Sequence, residues 1–424
     1  MLTNIVTTKY GRIGGVAADG CVIYRGVPYA VARRFKQPQE PQKWDGLLAA
    51  DKFPPRAPQI DLEDMELYGK EFYSLPEYAT PYSEDCLYLN IWAPAEAKEG
   101  DKYPVILWIH GGAFNHGYGH EMEFDGARYA KRGVILVTIN YRLGALGYLA
   151  HPWLGEENAG GLKTNFGLAD QAMALKWVHE NIHAFGGDSD NVTLAGQSAG
   201  CISAHLLACC PAKKYFSKAI LQSGAGYDSP MLKDISLEKA EKTGEEFIKF
   251  CGINSLRQLM AAPAQMFVEK EAEFISSTGR GGLLFTPVVD GDILPSHPDM
   301  AADSGKMRDI PYIIGCTKDD IPGMDKGGQK LRQVLNKAGS RPVYMYRFER
   351  DLPGDNSGAF HSSELWYTFG TLGRSWRPME ESDYALSCKM ADMWAAFAKT
   401  GCPDIPGENW PAFNNESKYI KIFK

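Results

Sequence analysis

Asn191-Val192-Thr193-Leu194-Ala195-Gly196-Gln197-Ser198-Ala199-Gly200 reads as a short apolar strand running directly into Gly-x-Ser-x-Gly. A run of small, helix-compatible residues, 199–208, follows. Strand, tight turn and helix in that order lift a serine hydroxyl to the top of a sheet. The glycines are needed where the turn brings two backbones too close for a Cβ. This is the nucleophile-elbow pattern. Plain glycine turns also satisfy it, so the rest of the chain has to decide between the two.

Upstream, Pro104-Val-Ile-Leu-Trp-Ile109 is a continuous apolar run, as strands buried on both faces are, and it ends in His110-Gly111-Gly112-Ala113-Phe114. Residues 134–139 read as another buried strand, and Leu87 to Trp92 alternate. Over 168–183, Leu168, Ala172, Leu175, Val178 and Ile182 fall on one helix face. Residues 4–26 predict a β-meander about the turn Ala18-Asp19-Gly20. Residues 27–85, rich in proline and aromatics, predict a long irregular surface segment with short helices. Downstream come strands at 219–222, 312–315 and 343–348, a short helix at 329–337, and helices near 237–250 and 383–399. No repeat or linker interrupts the alternation. It predicts a single α/β domain over 1–424, a large, mostly parallel central sheet flanked by helices.

The chain has 424 residues, 44% hydrophobic and 23% charged, enough for a large core. A net charge of −7 without any lysine/arginine block argues against nucleic acid or an acidic membrane surface as partner. No stretch approaches the roughly 18 apolar residues of a membrane span. The N-terminus, Met1 to Thr8, lacks a basic region before an apolar run, so no signal peptide is expected. Nine scattered cysteines without a CxxC pair predict free thiols in a reducing cytoplasm. The sequence does not set the oligomeric state.

Acyl transfer at a serine needs an imidazole to take the proton and a carboxylate to orient that imidazole. It also needs N–H groups aimed at the developing oxyanion. The loop 110–114 follows a buried strand and can supply such donors. Three histidines follow Ser198: His205, His297 and His361. His205 lies too close on the next helix to swing back, whereas His361 sits in the loop Gly358-Ala-Phe-His-Ser-Ser-Glu364. A second centre competes. His179-Glu180-Asn181-Ile182-His183 fits HExxH, which on a helix would present two zinc ligands with Glu180 as general base. Its plainer reading is a polar face beside Val178 and Ile182. No third ligand is visible, and no metal or other cofactor is expected.

The chain resembles the type-B carboxylesterases, the α/β-hydrolases that include cholinesterases and bacterial para-nitrobenzyl esterases. The resemblance rests on 25–30, Ser83-Glu-Asp-Cys-Leu-Tyr-Leu-Asn-Ile-Trp92, 110–114, 140–145, 165–171, Phe185-Gly-Gly-Asp188, 196–200, 222–224 and 358–365. It implies an ester hydrolase with Ser198 as nucleophile, His361 as general base and acid, and an oxyanion hole from Gly112, Ala113 and Ala199. The family acid falls within Gly315-Cys-Thr-Lys-Asp319-Asp320-Ile321, which implies Asp320, with Asp319 as its rival. Ser223 and Asp170 take supporting positions. The same resemblance places HExxH on the helix before the elbow strand, away from any metal role. A non-catalytic cholinesterase-like binding module is the remaining alternative, and the retained serine, histidine and carboxylate speak against it.

Departures from the family pattern are also informative. Secreted members pair the cysteine of the Ser-Glu-Asp-Cys block with one upstream, but 51–85 contain none, so Cys86 lacks that partner. Cys251 resembles the start of a second disulfide loop, but Ser255 stands where its partner would be. Only 41 positions separate Asp320 from His361, where relatives usually insert several helices. The expected enzyme is therefore an open-site esterase with a reduced cap, tolerant of bulky or aromatic esters. Phe114, Tyr118, Trp366 and Phe369 are the expected substrate-lining aromatics.

Overall fold

The computed structural model describes residues 2–62, 66–158, 160–229, 231–233, 235–279, 283–339, 341–414 and 418–424. Its strands are β1 Leu2–Thr7, β2 Arg12–Ala18, β3 Cys21–Pro28, β4 Leu47–Ala49, β5 Tyr88–Pro94 and β6 Tyr103–Ile109. They continue with β7 Ile135–Ile139, β8 Gly187–Gln197, β9 Lys218–Gln222, β10 Tyr312–Thr317, β11 Val343–Phe348 and β12 Lys421–Phe423. All lie in one sheet, ordered β1-β2-β3-β5-β7-β6-β8-β9-β10-β11-β12, with β4 beside β2.

The sheet is mixed in a regular way. From β7 through β6 and β8 to β12 every neighbour is parallel, while β1-β2-β3-β5-β7 is an antiparallel meander. The meander is the one expected from 4–26, extended by β5. Parallel strands need crossovers, and helices supply them: Phe166–Asn181 leads toward β8, and Ala199–Leu207 leads from β8 toward β9.

The unbroken apolar runs follow from helices covering both faces. On β6, Val105, Leu107 and Ile109 join one core cluster with Trp177, Phe185 and Ile202. The alternate residues Ile106 and Trp108 join the other, with Phe369, Trp394 and Trp410. A period of two is present, but both sides read as apolar.

Three expectations change in detail. The segment 27–85 is only partly a surface layer: most of 36–53 is exposed or half-buried, but Tyr29, Phe35, Ala57, Gln59 and Glu71 are each at most 1% exposed. Tyr29 and Phe35 pack inward, and Gln59 and Glu71 are hydrogen-bonded inside. The short helix expected over 329–337 runs from Met324 to Ala338. The C-terminal β12 was not foreseen, because a three-residue strand carries no periodicity to read.

Candidate active site

The elbow forms as its sequence requires. β8 stops at Gln197, the next helix begins at Ala199, and Ser198 between them has φ 54° and ψ −125°. That left-handed backbone is strained for a residue with a side chain. It is held by Ser198 N–H donating to Gln222 O at 2.9 Å and Ile202 N–H donating to Ser198 O at 2.9 Å. The glycines are there for space. A Cβ on Gly196 would meet Gly200 O at 2.4 Å, and one on Gly200 would meet Ile109 O at 2.0 Å. Ser198 is half-buried.

His361 reaches the same place from the loop after β11. Its Nδ1 lies 2.6 Å from Asp320 Oδ1. Asp320 also accepts from Thr317 N–H at 3.0 Å and Ile321 N–H at 2.7 Å. Burial pushes the Asp320 carboxyl up, but the His361 hydrogen bond and charge, the Ser223 hydroxyl and the Thr317 N–H outweigh it. The group lies below the usual carboxylate value. Asp319 points elsewhere: its Oδ2 accepts from Ala359 N–H at 3.0 Å, and its own N–H donates to Ala359 O at 3.0 Å. It fastens the histidine loop to the end of β10.

The Ser198 hydroxyl has no hydrogen-bond partner among the described residues. His361 Nε2 instead sits 3.3 Å from Gln197 Nε2, and that amide also donates to Ser362 Oγ at 2.9 Å. Below the histidine lies Glu364, fully buried, with Oε1 3.4 Å from both Gln222 Nε2 and Ser223 Oγ. Burial, with the Asp320 charge adding to it, pushes its carboxyl up to about 7. Tyr68 OH donates to the His361 carbonyl at 3.0 Å. Asp170 is bidentate to Arg142, fully buried.

Beside the serine, a Cβ on Gly111 would come within 3.2 Å of Ser198 Cβ, which places the 110–114 loop against the elbow. Gly112, Ala113 and Phe114 have φ of 97°, 54° and 63°. This succession of left-handed residues turns their amides out of any ladder. Among the described residues no protein acceptor receives the N–H of Gly112, Ala113 or Ala199.

The four expected substrate-lining aromatics do not line an open site: none is more than 2% exposed. Phe114 packs edge-on against Tyr148, and Tyr118 lies against Tyr73 and His120. Trp366 stacks on Phe72 and donates to Glu71, while Phe369 packs on Trp108 and Phe124. An aromatic side chain next to a motif has far more core than pocket available to it, and here the core takes all four.

The competing histidines are also accounted for. The helix carrying HExxH ends at Asn181, and His183 lies in the 3₁₀ turn beyond it. Glu180 is ion-paired with Lys9 at 2.6 Å. Among the described residues no group of three or more His, Cys, Asp or Glu could hold a metal ion. His205 is fully buried, with burial pushing its pKa down to about 4, and His297 caps the helix Pro298–Asp303. A cleft of about 970 Å³ near Val31, Lys36 and Leu162 contains none of these catalytic candidates, so volume alone does not locate the site.

The sequence reading missed Gln197, Tyr68 and Glu364 as neighbours of His361. Glu364 lies in the quoted 358–365 stretch and could have been singled out there. Tyr68 lies 293 positions from His361, and no local pattern signals it.

Comparison with known proteins identifies the family. The carboxylesterase family model matches residues 2–328 and 326–424. The Bacillus subtilis para-nitrobenzyl esterase is 35% identical over 492 positions, covering 100% of this chain and 95% of the relative. Carboxylesterase 4A of Bos taurus is 30% identical, covering 99% and 91%. A solved para-nitrobenzyl esterase superposes with a TM-score of 0.86 at 32% identity, covering 100% and 96%. The chain therefore belongs to the carboxylesterase family, has the α/β-hydrolase fold, and is a carboxylic-ester hydrolase.

Proposed function

We propose that the chain cleaves its ester through an acyl-enzyme on Ser198. In this reading His361 is general base and then acid, Asp320 orients it, and Gly112, Ala113 and Ala199 N–H groups receive the oxyanion. The observation that carries it is the 2.6 Å contact between His361 Nδ1 and Asp320 Oδ1, beside a serine held at φ 54°. A proton held on Nδ1 by the carboxylate leaves the Nε2 lone pair free to act as base. Ser198 Oγ attacks the carbonyl carbon as its proton passes to Nε2. The carbonyl oxygen becomes negative against the three N–H groups. Collapse expels the alcohol, which takes the proton from Nε2, and water repeats the sequence to release the acid. The depressed Asp320 pKa keeps that carboxylate charged beside the transient imidazolium. In the resting state the Gln197 amide occupies the Nε2 side. Such contacts commonly rearrange and tighten only once substrate is bound.

The proposal extends to the shape of the site. At least 68 of the 492 positions aligned with the Bacillus esterase stand opposite gaps in these 424 residues. The two family-model segments meet at 326–328, inside the helix Met324–Ala338 and within the Asp320–His361 interval. Both support a shortened wall over the serine and a preference for bulky esters over long-chain glycerides. With the four aromatics in the core, selection for aromatic esters has no support from them. All nine cysteines are free, Cys86 is buried, and Ser255 caps a helix by accepting from Gln258 N–H. This supports a reducing cytoplasm as the location, and no helix among the described residues is long and apolar enough to cross a membrane. A sheet whose strands run from Leu2 to Phe423 supports one domain acting on a small-molecule ester.

A serine-directed aryl phosphonate and a chelator test the chemistry together. The phosphonate should abolish ester hydrolysis and the chelator should leave it intact; the reverse pattern would contradict the serine mechanism and favour the HExxH alternative.

A further inference from the structure

Beside the oxyanion loop lies a cavity of about 290 Å³, walled by 143–146 and the helix Ala264–Thr278. Its rim includes Asn115, two residues past Ala113, and Gly144 in its wall donates its N–H to Phe114 O at 2.7 Å. The lining is mostly apolar, with Leu143, Leu146, Phe267 and Ile275, but it also contains Glu271, only 6% exposed. One weak bond serves that carboxylate: Ala145 N–H donates to Oε2 at 3.3 Å. No cation among the described residues is paired with it. Arg34, stacked over Phe267 one turn earlier, is held by Glu84. Burial pushes the Glu271 carboxyl up to about 7, with the Ala145 N–H opposing only in part. A leucine would fill the same helix turn without the cost of desolvating a charge, so packing does not account for a glutamate here.

We infer that this cavity is a subsite for a cationic amine carried by the ester, with Glu271 as its counter-ion. The inference rests on the ester-hydrolase reading of Ser198, whose expected oxyanion loop adjoins the cavity through Asn115. An alkylammonium would lay its carbon chain on Leu143, Leu146 and Ile275 and present N–H donors to the Glu271 oxygens. It would supply the charge the carboxylate lacks. The site discriminates in the opposite sense as well: a neutral group of the same shape leaves the carboxylate desolvated and unpaired.

The test is inhibition of 4-nitrophenyl butyrate hydrolysis by tert-butylammonium and by tert-butanol, which have the same shape with and without the charge. At pH 8.5 Glu271 is ionised and the amine still charged. There the wild-type protein should bind tert-butylammonium at least about ten-fold more tightly than tert-butanol. In Glu271→Gln the two inhibition constants should converge. Ala272→Trp, at an exposed position on the rim, keeps the carboxylate but fills the mouth, and should weaken tert-butylammonium by a similar factor even if Glu271→Gln fails to fold. Equal constants in wild type, or a preference that survives either substitution, would overturn the inference. Absence of hydrolysis of the neutral ester in wild type is a separate result, and would overturn the ester-hydrolase reading and the subsite with it.

Discussion

At the scale of residues, the two adjacent aspartates are the sharpest case. Sequence offers Asp319 and Asp320 as near-equals; geometry puts Asp320 on the imidazole and Asp319 on a backbone amide. Asp320→Asn should therefore cut kcat/KM by ~10⁴, since an amide cannot hold the required imidazole tautomer. Asp319→Asn should cost less than about ten-fold, mostly through a looser loop. Steady-state rates on one aryl ester decide between them, and the opposite ranking would move the acid to Asp319. Glu364 makes a different prediction, about pH. Its folded pKa is raised, so its contribution to stability is fully present below the unfolded value. That contribution is lost as pH rises through about 7. Glu364→Gln should accordingly raise Tm relative to wild type at pH 8.5 and show little gain at pH 5. An equal gain at both would mean that the carboxyl is not held protonated in the fold.

At the scale of elements, the histidine loop is anchored by a helix far away in sequence. Within the helix Glu66–Phe72, Glu71 is fully buried. It accepts from Arg377 Nε at 2.9 and 3.0 Å, from Trp366 Nε1 at 2.7 Å and from Trp376 Nε1 at 2.9 Å. Arg377 completes the node on Asp355, at 2.8 Å. Removing one partner of a buried ion pair strands the other, so Glu71→Ala should lose about 3–5 kcal/mol in urea unfolding. A loss below about 1 kcal/mol would mean that water reaches Arg377. Tyr68, on the same helix, should lower kcat by a few-fold when changed to Phe, through the freed His361 carbonyl. None of this was legible in the sequence. The strands were, because both faces of β6 and β7 are covered and their runs are apolar but for Thr138. The elbow was, because its glycines are enforced by contacts as short as 2.0 Å. Glu71 and Arg377 looked like ordinary charges, 306 positions apart. Phe114, Tyr118, Trp366 and Phe369 were misplaced for the converse reason: residue type and nearness to a motif do not say which way a ring faces.

At the scale of the whole molecule, the parallel half of the sheet brings Ser198, at the end of β8, beside Asp320 and His361 in the loops after β10 and β11. The proposed shorter wall over the serine, between Asp320 and His361, carries the expectation for substrate. kcat/KM for a bulky-alcohol ester should exceed that for an emulsified long-chain glyceride by at least about ten-fold, and the opposite preference would close the open-site reading. The central claim, that one serine at the strand–helix corner carries the acyl group, is tested most directly by intact mass after treatment with an aryl phosphonate, followed by peptide mapping. The account predicts one phosphonyl group per chain, on Ser198, with complete loss of ester hydrolysis and no labelling of Ser198→Ala. A modified protein that keeps its activity, or a label at any other residue, would contradict it.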